Sequence, residues 1–262
     1  MKLNRNTALI TGASGGIGLE LARIHAQKGG DLVLVARSLG KLEKVKAELE
    51  EKYKVRVNVL SEDLSQPESA ERIYLYTQEH GIQISTLINN AGFGGHGFFN
   101  ERKLEDEQAM MQVNMISLTR LTHYFLRDMV ARQSGRILNV SSTASFMPGP
   151  LQAVYYATKS YVTSFSQAIA EEVAEHNISV TALCPGAVAT DFVKAGNLEG
   201  VDIWKKAKSA ESVAQFGYKA MEKGKLVAIN EGKLALLINW IVPLLPRSLV
   251  LKTSRQAMEK SA

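Results

Sequence analysis

Thr7-Ala-Leu-Ile10, Thr11-Gly-Ala-Ser-Gly-Gly-Ile-Gly18, Leu19-Glu-Leu-Ala-Arg-Ile-His-Ala-Gln-Lys28 and Asp31-Leu-Val-Leu-Val-Ala36 follow one another, with only Gly29-Gly30 before the last. The first is a short apolar run, and the second is a glycine-rich turn. The third has helical spacing and is stopped by two glycines, and the fourth is a second apolar run. Strands that are apolar throughout, such as Leu32-Val-Leu-Val35, are expected where both faces of a sheet are covered. This stretch therefore reads as strand, turn, helix and parallel strand.

The same alternation extends along the chain. A charged helix is expected over Leu39–Tyr53 and a strand over Val55–Leu60. Ser65 can cap a helix reaching His80, with Pro67 in its first turn. Strands follow at Thr86–Asn89, Arg136–Val140 and Ile178–Leu183, and a last one at Lys225–Ile229. Helices are predicted over Leu104–Gln133, from Tyr155 to about His176, and over Ser212–Glu222. Uninterrupted alternation implies an α/β fold: one Rossmann-like, doubly wound parallel sheet of about seven strands with helices on both faces and right-handed connections. Residues 1–232 form that domain, and 233–262 form an apolar, helical C-terminal extension.

The 262 residues include 45% hydrophobic and 22% charged side chains, enough for a full core and inconsistent with global disorder. Formal charge is +5, and the excess looks scattered apart from Lys205, Lys206, Lys208 and the tail (Arg247, Lys252, Arg255, Lys260). Nucleic acid is not an expected partner; anionic small molecules are mildly favoured. Cys184 is the single cysteine, so no intrachain disulfide forms and a reducing compartment is expected. The N-terminus enters a strand at once, so no signal peptide is expected. No uncharged apolar run reaches the roughly 18 residues of a membrane span. A cytoplasmic protein is expected, with membrane association through its tail as one option.

Glycines at 12, 16 and 18 let the backbone turn sharply and approach a pyrophosphate, where the following helix offers free N–H groups and the positive end of its dipole. Strand two ends at Ala36-Arg37, near the expected adenosine ribose. An acid there would bond a 2′-hydroxyl, whereas the Arg37 fork suits a 2′-phosphate, so NADP(H) is predicted over NAD(H). The alternative is an exposed arginine at a strand end.

Tyr155 and Lys159 stand four apart on a helical segment and so share one face. A cation beside a phenol lowers the phenol's pKa and makes it a usable acid near neutrality. Ser142 lies at the end of the fifth strand, where its hydroxyl can bond a substrate oxygen. Acid, cation and oxygen-binder together suit proton transfer at a carbonyl or alcohol. The bland alternative is a buried tyrosine and a solvated lysine.

With Thr11–Gly18, Asn89-Asn90-Ala91-Gly92, Asn114, Ser142, Tyr155, Lys159 and Pro185-Gly186 in order, residues 4 to 230 resemble the short-chain dehydrogenase/reductase family. The resemblance implies that Tyr155 is the general acid/base and that Lys159 bonds the nicotinamide ribose and lowers the Tyr155 pKa. It also implies that Ser142 holds the substrate oxygen, thirteen residues before Tyr155, in preference to Ser141. Tyr156 has no lysine four residues on. Asn114 would anchor a water in a proton relay; a buried asparagine bonding backbone is the rival. The implied cofactor set is Gly12, Ser14, Gly16, Ile17, Gly18, Arg37, Asp63, Leu64, Asn90, Ala91, Gly92, Tyr155, Lys159, Pro185, Gly186, Val188 and Thr190. Asp63-Leu64 would meet adenine, and the Pro185–Thr190 loop would meet the carboxamide. No metal is implied. Cys184 is expected to be a core strand residue, and His96 a solvated loop residue that could face substrate.

The implied reaction is hydride transfer between nicotinamide and a carbonyl or secondary alcohol, with Tyr155 exchanging the proton. A cofactor-binding sensor or scaffold without turnover is the alternative. The tail departs from the family's common Val-Asp-Gly-Gly ending, which puts the usual tetramer in doubt, and a homodimer is expected. Lys233-Leu-Ala-Leu-Leu-Ile-Asn-Trp-Ile-Val-Pro-Leu-Leu-Pro246 could cover the cleft, pack on a partner subunit or lie on a membrane surface. A cover would favour lipophilic ketones. Phe146, Met147 and Leu151 are expected to form an apolar substrate wall.

Overall fold

The computed structural model describes residues 6–260. The turn-linked unit that opens the chain forms as expected: β1 (Thr7–Thr11), α1 (Gly16–Gln27) and β2 (Asp31–Ala36). Then come α2 (Leu39–Tyr53), β3 (Val57–Ser61), α3 (Ser69–Glu79) and β4 (Thr86–Asn89). Next are α4 (Leu104–Met111), α5 (Leu118–Ala131), β5 (Gly135–Val140), α6 (Ala153–Glu172) and β6 (Ile178–Leu183). A short loop sheet pairs β7 (Val188–Ala189) with β8 (Lys208–Ser209) around α7 (Phe192–Ala195). α8 (Ala210–Glu222), β9 (Val227–Ala228), α9 (Gly232–Leu236) and α10 (Arg247–Met258) complete the chain.

The main sheet has seven parallel strands in the order β3-β2-β1-β4-β5-β6-β9. Its apolar strands feed two cores by simple alternation. Ala8, Ile10, Leu32, Leu34, Ile88 and Leu138 face the side covered by α1, α2 and α8, where Leu21, Leu42 and Tyr218 lie. Leu9, Val33, Val35, Leu87 and Ile137 face the other side, with Ile73 of α3, Phe125 of α5 and Ile169 of α6. The chain reverses its direction of travel across the sheet between β1 and β4, which opens a crevice at their C-terminal ends.

Four expectations are corrected. The third helix begins at Ser69 rather than Ser65, because the Asp63 carboxylate accepts from the Ser65 N–H (3.0 Å) and fixes a turn there. The helix expected over Leu104–Gln133 is split by a π turn at Gln112–Ser117. The last strand pairs only through Val227 and Ala228. The tail is not one apolar unit: Gly232–Leu244 is a continuous helical run in which α9 passes through a π turn into a 3-10 turn, with Ile238 buried, whereas α10 packs back on the body through Val250, Ser254 and Met258. No helix among the described residues is long and apolar enough to cross a membrane.

Candidate active site

A cavity of about 370 Å³ opens at the C-terminal ends of the strands. Its nucleotide side is built by the first turn. Gly12 has φ +65°, and a Cβ there would stand 2.8 Å from Asn90 Nδ2. Gly18 packs so closely on the Gly12 carbonyl that any side chain would overlap it. Asn90 secures this contact by donating to the Thr11 carbonyl (2.9 Å), and Thr11 Oγ1 accepts from the N–H groups of Asn90 and Ala91 (3.0 Å each). Gly15, at the start of α1, makes no side-chain cap, so the first N–H groups of the helix have no side-chain acceptor. Gly12, Ser14, Gly16, Ile17, Arg37, Asn90, Ala91 and Gly92 line this side, as do Pro185, Gly186, Val188 and Thr190. This cradle, closed to side chains and edged by an exposed arginine, fits a dinucleotide.

Three residues of the predicted cofactor set lie outside the lining. Gly18 acts behind it through packing. Asp63 is half-buried and used by its own turn, and the Leu64 carbonyl accepts from Ser117 Oγ (2.7 Å).

The reactive side is supplied by β5 and α6. Beyond β5, Ser141 and Ser142 point to different partners. Ser141 Oγ donates to the Lys159 carbonyl (2.9 Å) and pairs with Thr163 Oγ1 (2.7 Å). Ser142 Oγ accepts from the Ala144 N–H (3.1 Å) and donates to the Pro185 carbonyl (3.5 Å). Tyr155 and Lys159 are both buried and both line the cavity, with Lys159 Nζ 5.8 Å from the Tyr155 ring centre. Lys159 Nζ donates to the Val140 carbonyl (2.9 Å).

The electrostatics differ from the expected pairing. Burial drives the Tyr155 phenol well above its ordinary value, and the neighbouring Ser142 hydroxyl opposes that rise. The same burial pushes Lys159 down to about 8. Desolvation leads because the ammonium faces the Val140 carbonyl and the face of the Tyr155 ring rather than an anion.

Asn114 is fully buried in the π turn and does not line the cavity. Its Oδ1 accepts from the Phe93 N–H (3.1 Å), and its Nδ2 donates to the Phe93 carbonyl (3.0 Å) and Thr158 Oγ1 (3.1 Å). It thus clamps the loop after β4 to the helix that carries Tyr155, and a Cβ on Gly92 would meet both Asn114 Oδ1 (3.0 Å) and Lys159 Nζ (3.3 Å).

The apolar wall differs from the one expected. Phe146 and Met147 line an adjoining groove with Pro150, Arg247 and Leu251, separated from the cavity by Tyr156. Leu151 packs behind, at φ 68°. Phe192, Ile203, Trp204 and Met258 face the cavity instead, with Phe192 5.4 Å from Tyr155 and 5.8 Å from Trp204, ring centre to ring centre. No local pattern marks these four; they come from separate segments beyond β6. Met258 is held there by His96, whose Nε2 lies 2.7 Å from the Met258 carbonyl oxygen, so His96 supports the wall rather than facing the cavity. Cys184 is buried, and burial pushes its thiol up, which leaves it a core residue. No cluster of metal-ligating side chains occurs among the described residues.

Residues 6–199 match the family described as short chain dehydrogenase. The chain is 32% identical over 250 residues to the very-long-chain 3-oxoacyl-CoA reductase of Macaca fascicularis, covering 94% of this chain and 77% of that one. It is 34% identical over 194 residues to the 17-beta-hydroxysteroid dehydrogenase type 3 of Homo sapiens, covering 71% of this chain and 60% of that one. The human, bovine, rat and mouse very-long-chain 3-oxoacyl-CoA reductases are each spanned over only about three fifths of their length (61%). Among solved structures, it is similar to a short-chain dehydrogenase from Sphingobium yanoikuyae in complex with NADPH, with TM-score 0.82, 31% identity and coverage of 88% and 90%. It is also similar to the bulky-bulky ketone specific alcohol dehydrogenase from Comamonas testosteroni, with TM-score 0.77, 29% identity and coverage of 86% of each chain.

Proposed function

The chain belongs to the short-chain dehydrogenase family of oxidoreductases acting on CH–OH and C=O groups, and from that premise we propose an NADP(H)-dependent reductase of lipophilic ketones. The observation that carries the proposal is the meeting of Ser142, Tyr155 and Lys159 with the glycine cradle and Arg37 around one cavity. Bound NADPH would supply the hydride to the carbonyl carbon. Gly12, Ser14, Gly16 and Ile17 would hold its phosphates, Arg37 the 2′-phosphate, and Lys159 and the Pro185–Thr190 loop its nicotinamide end. Ser142 bonds and orients the substrate oxygen. Tyr155 delivers its phenolic proton to that oxygen, and the buried ammonium of Lys159 opposes the phenolate charge left behind. Phe192, Ile203, Trp204 and Met258 keep water from the reacting centre and favour an apolar substrate.

The names of the relatives point the same way: 3-oxoacyl-CoA, 17-beta-hydroxysteroid and bulky ketone substrates are all lipophilic carbonyl compounds or their alcohols. The 233–262 extension, a homodimer and a cytoplasmic, membrane-associated setting belong to the same proposal.

A panel of acyl, steroid-like and short ketones, followed by loss of NADPH absorbance, tests it. Turnover is expected to fall at least ~10²-fold in Tyr155→Phe, and preference for NADPH over NADH is expected to vanish in Arg37→Ala. NADPH binding with no turnover of any ketone would point to a sensor instead.

A further inference from the structure

Among the described residues fifteen large hydrophobic side chains are exposed, and seven of them fall between Leu236 and Leu251. Within the helical run Gly232–Leu244, Trp240 is 71% and Leu244 84% exposed, flanked by Leu236, Leu237 and Ile241. Such a cluster, rimmed by polar residues, marks an interaction surface rather than ordinary surface leucines. Its rim is of one sign. From Gly232 to Met258 there is no Asp or Glu, while Lys233, Arg247, Lys252 and Arg255 are all present. Arg255 pairs with Glu259 (3.1 Å), whereas Lys233, Arg247 and Lys252 have no acidic partner among the described residues.

We infer that this face docks on an anionic phospholipid surface, with Trp240 and Leu244 entering the interface and Lys233, Arg247 and Lys252 meeting the headgroups. A second copy of the chain is a poorer occupant. Two-fold pairing through this patch would bring the same cations together with no carboxylate to oppose them. A bilayer supplies both the apolar layer and the missing negative charge, and a short helical element with an exposed tryptophan lies in an interface rather than crossing it. The patch also adjoins the site. Leu234 packs against Gly186, and Arg247 and Leu251 line the groove that shares Tyr156 with the cavity. Apolar molecules dissolved in the bilayer would therefore meet the protein at its groove.

Flotation of the whole protein with two kinds of vesicle tests this, and does not depend on catalytic turnover. One kind is phosphatidylcholine alone; the other contains about a third phosphatidylserine. Partition is expected to be on the order of 100-fold stronger to the anionic vesicles, from three cations near the surface. It should fall at least ~10-fold in Trp240→Ser/Leu244→Ser, with the far-UV circular dichroism unchanged. Arg247→Gln/Lys252→Gln should remove most of the preference for anionic lipid. Equal or absent partition to the two vesicles, or wild-type partition by the serine variant, would overturn the assignment. So would vesicle-free self-association abolished by the same variant, which would give the face to a second copy.

Discussion

Lys159 is the residue whose chemistry depends most on its surroundings. Its folded value near 8, against an ordinary 10.5, is set first by desolvation. Below pH 8 it is protonated in both folded and unfolded chains, and the cost of burying the ammonium is felt in full. Between pH 8 and 10.5 the unfolded chain holds more protons than the folded one, so stability rises with pH. The ceiling on that rise is roughly 3 kcal/mol. Tyr155, raised by burial, acts in the opposite sense above about pH 10 because the unfolded phenol ionises first. Urea titrations at pH 7.5, 8.5 and 9.5 should show a rising midpoint that flattens in Lys159→Met; equal slopes would refute the assignment. Strand ends and i,i+4 spacing, which are local geometry, together with the family resemblance drew attention to Tyr155, Lys159, Ser142 and Arg37, and all four line the cavity. Local geometry was not enough to rank desolvation against attraction, since that balance depends on what surrounds the pair in three dimensions.

Among the elements, the long crossover from Leu104 to Ala131 departs most from its sequence pattern. Apolar spacing marks it as helix throughout, but nothing in the spacing announces the π turn at Gln112–Ser117. A single-turn π segment often marks a functional position, and here it carries Asn114 with its three hydrogen bonds to Phe93 and Thr158. Replacing Asn114 by alanine strands the partly buried Phe93 N–H and carbonyl, at a cost of roughly 1–3 kcal/mol. A urea midpoint within error of wild type would mean the clamp is redundant. The mid-helix asparagine was conspicuous in the sequence; that it holds backbone could be learned only from the fold. The substrate wall followed the same pattern. Phe146, Met147 and Leu151 were adjacent to the catalytic motif and drew attention for that reason, whereas Phe192, Trp204 and Met258 reach the cavity through tertiary packing of separate segments.

At the scale of the whole molecule, the seven-stranded parallel sheet was legible because apolar runs and helical periods alternate from Thr7 to Leu183 without a break. The tail was not, since a short apolar segment reads equally well as cover, interface or surface anchor. Folding divides the tail: α10 brings Met258 to the cavity, and the helical run before it keeps Trp240 and Leu244 exposed. A chain ending at Pro246 should keep its sheet but lose the Met258 side of the wall. The KM for a long-chain ketone should then rise roughly 5- to 10-fold, the equivalent of burying part of one methionine. The KM for acetone-sized ketones should hardly move; an equal rise for both would mean that α10 supports the fold and does not contact substrate. The acid-free stretch Gly232–Met258 has an electrical consequence as well. It carries four of the chain's 31 cations and none of its 26 carboxylates, so the formal charge of +5 resides almost wholly there and the body is close to neutral. The protein is therefore a dipole with a positive tip. An anionic surface will turn that tip toward itself before contact, at a rate that falls as salt shortens the roughly 8 Å reach of the field at physiological ionic strength.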